Sequence, residues 1–567
     1  MKQPILLLIA AVTTLYGTAQ NNIGIGTTAP DASSKLEINS SNSGLLIPRL
    51  TAAQRIAIAS PANGLLVFDT DSAAFAYRTG SSWLFLKGGD TKANDWSTTG
   101  NAGTDAASFI GTVDAQPLRF RTNNVNAGWV DSTSANTSLG FRSLDAATGT
   151  GNTATGFRSL FSNGSGSYNT ANGFKALQAN QDGSYNTANG VFALNNNTTG
   201  GSNTASGVSA LYSNTTGSTN TAYGAYALAS NTIGNQNTAN GYEALELTTT
   251  GNVNTANGAF SMAYNTTGRS NSAFGGFSLF KNTSGSNNTA IGDSSLFNNT
   301  TGVSNTANGA FSLYSNTTGN SNTAFGTNSL QAILIGDGNT AVGFNALGIN
   351  NFTSQRNTAI GFNAGAYASN GSDNVFVGYG AGTLGGGLEN VVAIGQGNLV
   401  PTSNTVRLGN TSTIRYQCFV DWTTISDGRF KNDIKEDVPG LAFINKLRPV
   451  SYKLSATTLD NFFHRNYTGK IDEEAKKIKS KGLYEKEQIT YTGFIAQEVE
   501  AAAKELGFDF SGVDTPKNEN DTYGLRYAAF VVPLVKAVQE EQQLIQKQQQ
   551  QIDALKKEMQ LLKEKIR

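Results

Sequence analysis

Ser426 and Lys431 stand five residues apart in TISDGRFKNDI, residues 424–434. A serine hydroxyl is a poor nucleophile at neutral pH and attacks a carbonyl only when a base takes its proton. Lysine serves as that base once its amine is neutral, which needs desolvation or a nearby positive charge, and Arg429 is close enough in sequence to supply the charge. The simplest substrate for so local a pair is the backbone beside it, because good intramolecular alignment lowers a barrier by about 7–11 kcal/mol. The competing reading is a polar linker built on the Asp427–Gly428 turn. The lone histidine, His464, does not call for a Ser-His-Asp arrangement and reads as an ordinary surface residue. No spacing in the chain suits metal ligands or the paired carboxylates of sugar hydrolysis, so neither metal nor cofactor is expected.

The elements that must position such a pair differ on its two sides. Of the 80 charged residues in the 567-residue chain, 45 follow Trp422, although the charges sum to zero overall. Upstream lie 55 of the chain's 63 glycines, which with the low charge content argue against one large globular enzyme. Residues 1–19 combine a Lys, an apolar run and small residues before Gln20, which reads as a signal peptide and predicts export to the cell surface or medium. No later stretch is apolar enough for a membrane helix, and nothing points to nucleic acid. With one cysteine, Cys418, an internal disulfide is impossible, so repetition and oligomerisation must supply stability.

The repetition is plain. NTA or a near variant begins at Asn136, Asn152, Asn169 and onward to Asn357, almost always 17 residues apart. Gly follows four residues after each Asn, Leu or one Met eight after until Gly365 ends the run, and a second Gly recurs fourteen after from Gly166 to Gly336. One apolar side chain per repeat at constant phase implies a continuous core, and the glycines imply turns of positive φ or close backbone approach. Seventeen residues have room for two short strands and two turns, hence one solenoid coil per repeat, rising about 4.8 Å. The Asn and Thr columns read as turn chemistry, with a flat ice- or glycan-binding face as the alternative; the Asp needed for a calcium roll does not recur. NTAIGFNAG, NVFVGYGAG and NVVAIGQGN at the end of the array resemble the head repeats of trimeric autotransporter adhesins (YadA-like), which implies a homotrimeric β-roll over roughly 136–409.

Residues 20–130 alternate short apolar runs with Gly, Pro and Asn and read as a β-rich fibre base, resembling the start of exported tail-fibre-like proteins. Residues 131–421 form the shaft, and residues 422–530 are mixed α/β. In residues 531–567, Val531, Val538, Ile545, Ile552, Met559 and Ile566 fall seven apart, interleaved with Leu534, Glu541, Gln548, Leu555 and Leu562, a coiled-coil heptad whose Ile at a with polar Glu541 and Gln548 at d fits a trimer. The fold class expected is therefore mostly β: a trimeric β-solenoid, then a small α/β domain ending in a trimeric coiled coil.

SDGRFKNDI, LRPVSYKL, GFIAQEVE and YGLRYAAFVVPLVKAVQE, in that order before the heptads, resemble the intramolecular chaperone auto-processing domain of phage tailspikes, also found in a family of membrane-bound transcription factors of animals. That resemblance implies a domain that trimerises, guides folding of the fibre and cuts itself off with a Ser–Lys dyad, which maps onto Ser426 and Lys431. Cleavage falls beside Ser426, with the Ile425–Ser426 bond favoured. Asp427, Asn432, Gln497 and Glu498 are expected to support the loop, together with Arg429. The partner expected is the chain itself, with a cell-surface glycan or envelope receptor open for the exposed shaft positions. The alternative is a structural adhesin whose domain trimerises without cutting.

Overall fold

The computed structural model describes residues 22–86, 104, 108–349, 352–368, 370–420, 422–465 and 473–566, so the expected signal peptide lies outside the described residues. The chain divides between Gly111 and Thr112 into two compact units. In the first, strands Arg49–Leu50, Leu66–Asp69, Ala74–Thr79 and Ser82–Leu86 form one sheet, and Ile23–Ile25 pairs in parallel with Leu36–Ile38. Helix α1 (Ala52–Ile56) is opened by a capping box of Thr51 and Gln54. Its Arg55 is buried against Asp69 at 2.7 Å and lies over the rings of Trp83 and Phe85.

In the second unit, a hairpin of Leu118–Thr122 and Val125–Asp131 pairs antiparallel with Asn136–Leu139, so the shaft sheet starts before residue 131. From there each repeat adds one three-residue strand, such as Thr170–Asn172 or Thr238–Asn240, in parallel and in phase, Thr opposite Thr and Ala opposite Ala. The ladder runs open-ended to Thr405–Leu408. The expectation of two strands per coil is corrected: the return half of most coils is turns, and a second sheet appears only at the end, where Gly382–Thr383 pairs with Leu399–Val400. In the return half the core leucines from Leu144 to Leu347 take left-handed backbone, φ +48 to +53, which a strand cannot contain.

The core explains the columns. The Ala of each strand and the Leu of each return are fully buried. The Asn that opens each repeat is buried too, which removes Asn136 and its copies from any ligand-binding face. Asn152 Oδ1 accepts from the backbone N–H of Asn169 at 2.9 Å, while its Nδ2 donates to the carbonyl of Gly166 at 3.0 Å, and the next coils repeat this. The two glycines act differently. A Cβ on Gly241, at φ +144, would meet the Gly258 carbonyl at 2.5 Å; on Gly200, with no positive φ, it would meet the Gly217 carbonyl at 2.3 Å.

A second buried ladder, eleven residues after the first Asn, went unread in the sequence. Asn180 Nδ2 donates to Asn163 Oδ1 at 2.6 Å, and Asn197, Asn214 and Asn231 continue the chain. Where Thr248 and Ile333 replace Asn in this column, the preceding Asn231 Oδ1 and Asn316 Oδ1 have no partner. Buried unpaired acceptors of this kind cost about 1–3 kcal/mol. Thr248→Asn is therefore expected to stabilise the shaft by about 1 kcal/mol, read as a higher chemical-denaturation midpoint; an unchanged or lower midpoint contradicts the ladder account.

The C-terminal part contains α2 (Leu441–Ile444), α3 (Ala456–His464), α4 (Glu473–Gln488), α5 (Ala496–Glu505) and α6 (Val531–Ile566). Strands Val450–Lys453 and Thr490–Gly493 pair antiparallel. Phe443, Val499, Phe510 and Phe530 form its core, with ring centroids of Phe443 and Phe510 at 5.0 Å and of Phe510 and Phe530 at 4.8 Å. The start of α6 is anchored by Glu540, which accepts from the Leu441 N–H at 2.8 Å, and beyond it Ile545, Ile552, Leu555, Met559 and Leu562 are all exposed in the single chain. Among the described residues no helix is long and apolar enough to cross a membrane.

Asp460 on α3 is buried where the last coils meet this part, 2.8 Å from Lys479 Nζ, accepting also from Thr411 and beside His464. His464 is thus not the surface residue expected: its side chain is 13% exposed. Burial alone would raise the Asp460 pKa, but hydrogen bonds from His464, Lys479 and Thr411 outweigh it and hold the carboxyl at about 2, below its ordinary 3.8. A depressed carboxylate contributes stability that is present above the unfolded pKa and lost as pH falls through the folded one. Wild type is therefore expected to lead Asp460→Asn in chemical-denaturation stability by on the order of 2 kcal/mol at pH 5–7, with the pH-dependent part of that lead vanishing between about pH 4 and pH 2.

Candidate functional site

Between the last shaft strand and α2, the described residues hold one regular element, the 3₁₀ turn Gly428–Phe430. Asp427 caps it: its Oδ1 accepts from the Arg429 N–H at 2.9 Å, satisfying a donor the short turn leaves over. The turn reverses the chain so that Lys431 comes back beside Ser426. Lys431 Nζ lies 2.8 Å from Ser426 Oγ, within hydrogen-bond distance.

The supporting residues divide. Asp427 and Arg429 hold each other, with contacts at 2.6 and 2.9 Å, so that the Arg429 guanidinium keeps the Asp427 carboxyl below its usual range and is itself raised by it. Arg429 is thus paired with Asp427 across the turn. Asn432 is exposed. Gln497 and Glu498 open α5, and Glu498 is held by Arg448 through bonds of 2.5 and 3.1 Å. No hydrogen bond among the described residues joins Gln497 or Glu498 to the Ser426 loop. Gln497 instead lines an open groove of about 830 Å³ with Tyr452, Phe494 and Tyr527.

The loop's apolar content is the feature the sequence reading passed over. Phe419, Val420, Trp422, Ile425, Phe430 and Ile434 are each at least 75% exposed, and Ser426 and Lys431 are exposed with them. Six large apolar side chains in water on one short segment form an exposed apolar surface of the kind that marks an interaction site. The signal was present as apolar residues recurring in an otherwise polar stretch. Among the described residues no cluster of three or more His, Cys, Asp or Glu is placed to hold a metal ion.

Comparison with known families adds two matches. Residues 24–101 match the family described as phage tail like trimerisation region. Residues 426–508 match the family described as chaperone of endosialidase, a family of self-cleaving serine peptidases, and the match begins at Ser426 itself. No curated protein matches the chain. Taken with the β-solenoid fibre, the two matches fit a trimeric phage-tail-like protein that carries a tailspike-type chaperone domain at its C-terminal end.

Proposed function

We propose that this chain is an exported homotrimeric fibre whose C-terminal domain trimerises, templates the shaft and then severs itself at Ile425–Ser426. The observation that carries the reading is the 2.8 Å approach of Lys431 Nζ to Ser426 Oγ at the point where the chaperone-family match begins. Ser426 Oγ attacks the Ile425 carbonyl while Lys431 accepts the hydroxyl proton and passes it to the departing Ser426 nitrogen. Water then hydrolyses the ester, leaving a carboxylate on Ile425 and a free hydroxyl and amine on Ser426. The parallel stack of short strands supports a likeness to autotransporter heads, and a glycan or envelope receptor falls to the exposed positions of the shaft.

Timing follows from exposure. A lysine acts as a base only once its amine is neutral, which desolvation favours, and in one chain both members of the pair face water. Burial of the apolar loop residues between chains supplies the dry surroundings, so cleavage waits for assembly. The order matters because any 17-residue slip of three repetitive chains preserves most contacts, and a clamp must set register first. Scission then makes the assembled state hard to reverse. Expression of the intact gene, a denaturing gel and intact-mass measurement test this: the expected products end at Ile425 and begin at Ser426, and a single uncut chain in assembled trimer overturns it. The exposure of the pair is also what favours the second reading, a domain that trimerises without cutting, and the same gel separates the two.

A further inference from the structure

We infer that the severed domain stays bound to the tip of the shaft, through a junction whose two sides lie on opposite sides of the Ile425–Ser426 bond. This inference rests on the self-cleavage reading for its occasion, but its contacts stand independently. Thr411 donates to Asp460, whose other oxygen holds Lys479 at 2.8 Å. The Arg407 guanidinium lies 4.7 Å from the Phe463 ring centroid and donates to the Leu399 carbonyl at 2.6 Å. Lys486 Nζ donates to the Thr413 carbonyl at 3.0 Å, and Asn518 Nδ2 to the Pro401 carbonyl at 2.9 Å. His464 and Lys479 close a crevice against Tyr379, Gln396 and Leu399 of the last coils.

Every shaft partner in this set precedes residue 414 and every domain partner follows residue 459, so hydrolysis between 425 and 426 removes none of them. Burial holds both the Arg407 guanidinium and the Lys486 amine below their ordinary pKa, which marks the junction as desolvated. The junction sits against the last shaft strand, Thr405–Leu408, which pairs in parallel with Val391–Ile394. In a trimer the coiled coil ties three domains together, so three junctions must open at once, and such multivalency strengthens attachment by about 10²–10⁴ over a single contact. Cleavage alone therefore leaves a capped fibre, and release is a separate step.

The test uses the full chain. Self-cleaved wild type is expected to give two bands on a denaturing gel but one native size-exclusion peak containing both fragments. A shaft peak free of the C-terminal fragment overturns retention. A second arm places a site for a specific protease between Tyr416 and Val420 in a Ser426→Ala background, folds the protein and then cuts it. Co-elution is again expected there, even if wild type never cuts itself, which would sink only the self-cleavage reading. Adding Arg407→Ala and Asp460→Asn to that background is expected to raise the fraction released at least 10-fold, an order chosen as a small part of the multivalent gain. Full co-elution of that variant would overturn the assignment to this junction. The coiled coil lies wholly on the domain side and does not bridge the cut.

Discussion

Ser426→Ala is expected to yield only full-length chain, in trimers of wild-type size. The hydroxyl is exposed and among the described residues its one hydrogen bond is to Lys431, so its removal leaves the shaft core and the domain core untouched. What is lost is the proposed nucleophile. Lys431→Ala is expected to slow scission by about 10²–10⁴, the range for removing a general base. Lys431→Arg should do no better, since a guanidinium stays charged and cannot accept the proton. The measurement is the cut fraction against time on a denaturing gel, with native size-exclusion in parallel. A product ending at Ile425 in the Ser426→Ala protein would end the nucleophile assignment.

The second large effect is expected from Ile545→Asp combined with Ile552→Asp. Both side chains are about half exposed in the single chain, so the double change leaves the folded domain its own contacts. In the three-stranded seam the same positions would bury six carboxylates without partners, at several kcal/mol each, which no coiled coil of this length withstands. Light scattering is expected to report monomer, and scission should fall with it because the loop is then never covered. A trimer of normal mass would show that the N-terminal region alone holds the chains together. A monomer that still cuts itself would instead detach scission from assembly.

Much of this architecture was legible in residue spacing. Leu at constant phase gives a continuous core whatever the detailed path of the coil, because only a stacked repeat keeps one side chain per 17 residues out of water. The heptads of α6 and the order of motifs from Ser426 to Phe530 were equally visible, since both are local patterns. The count of strands per coil was not. Left-handed backbone at Leu and at the residue two before it replaces a second strand, and leucine gives no warning of positive φ. The Asn columns were read as turn chemistry, and side-chain amides do cap backbone groups, but inside the stack: an amide offers two donors and an acceptor that match the next coil.

The sequence by itself determined the period, the core, the terminal heptads and the proximity of Ser426 to Lys431, because each depends on neighbours along the chain or on identical copies stacked in phase. Tertiary structure alone decided the rest. Nothing in the charged segment of α4 announces that Lys479 and Lys486 meet the shaft tip, or that His464 is buried beside Asp460. The pairing of Arg429 with Asp427 was hidden for the same reason, since a charge acts on whatever geometry places within a few ångströms of it.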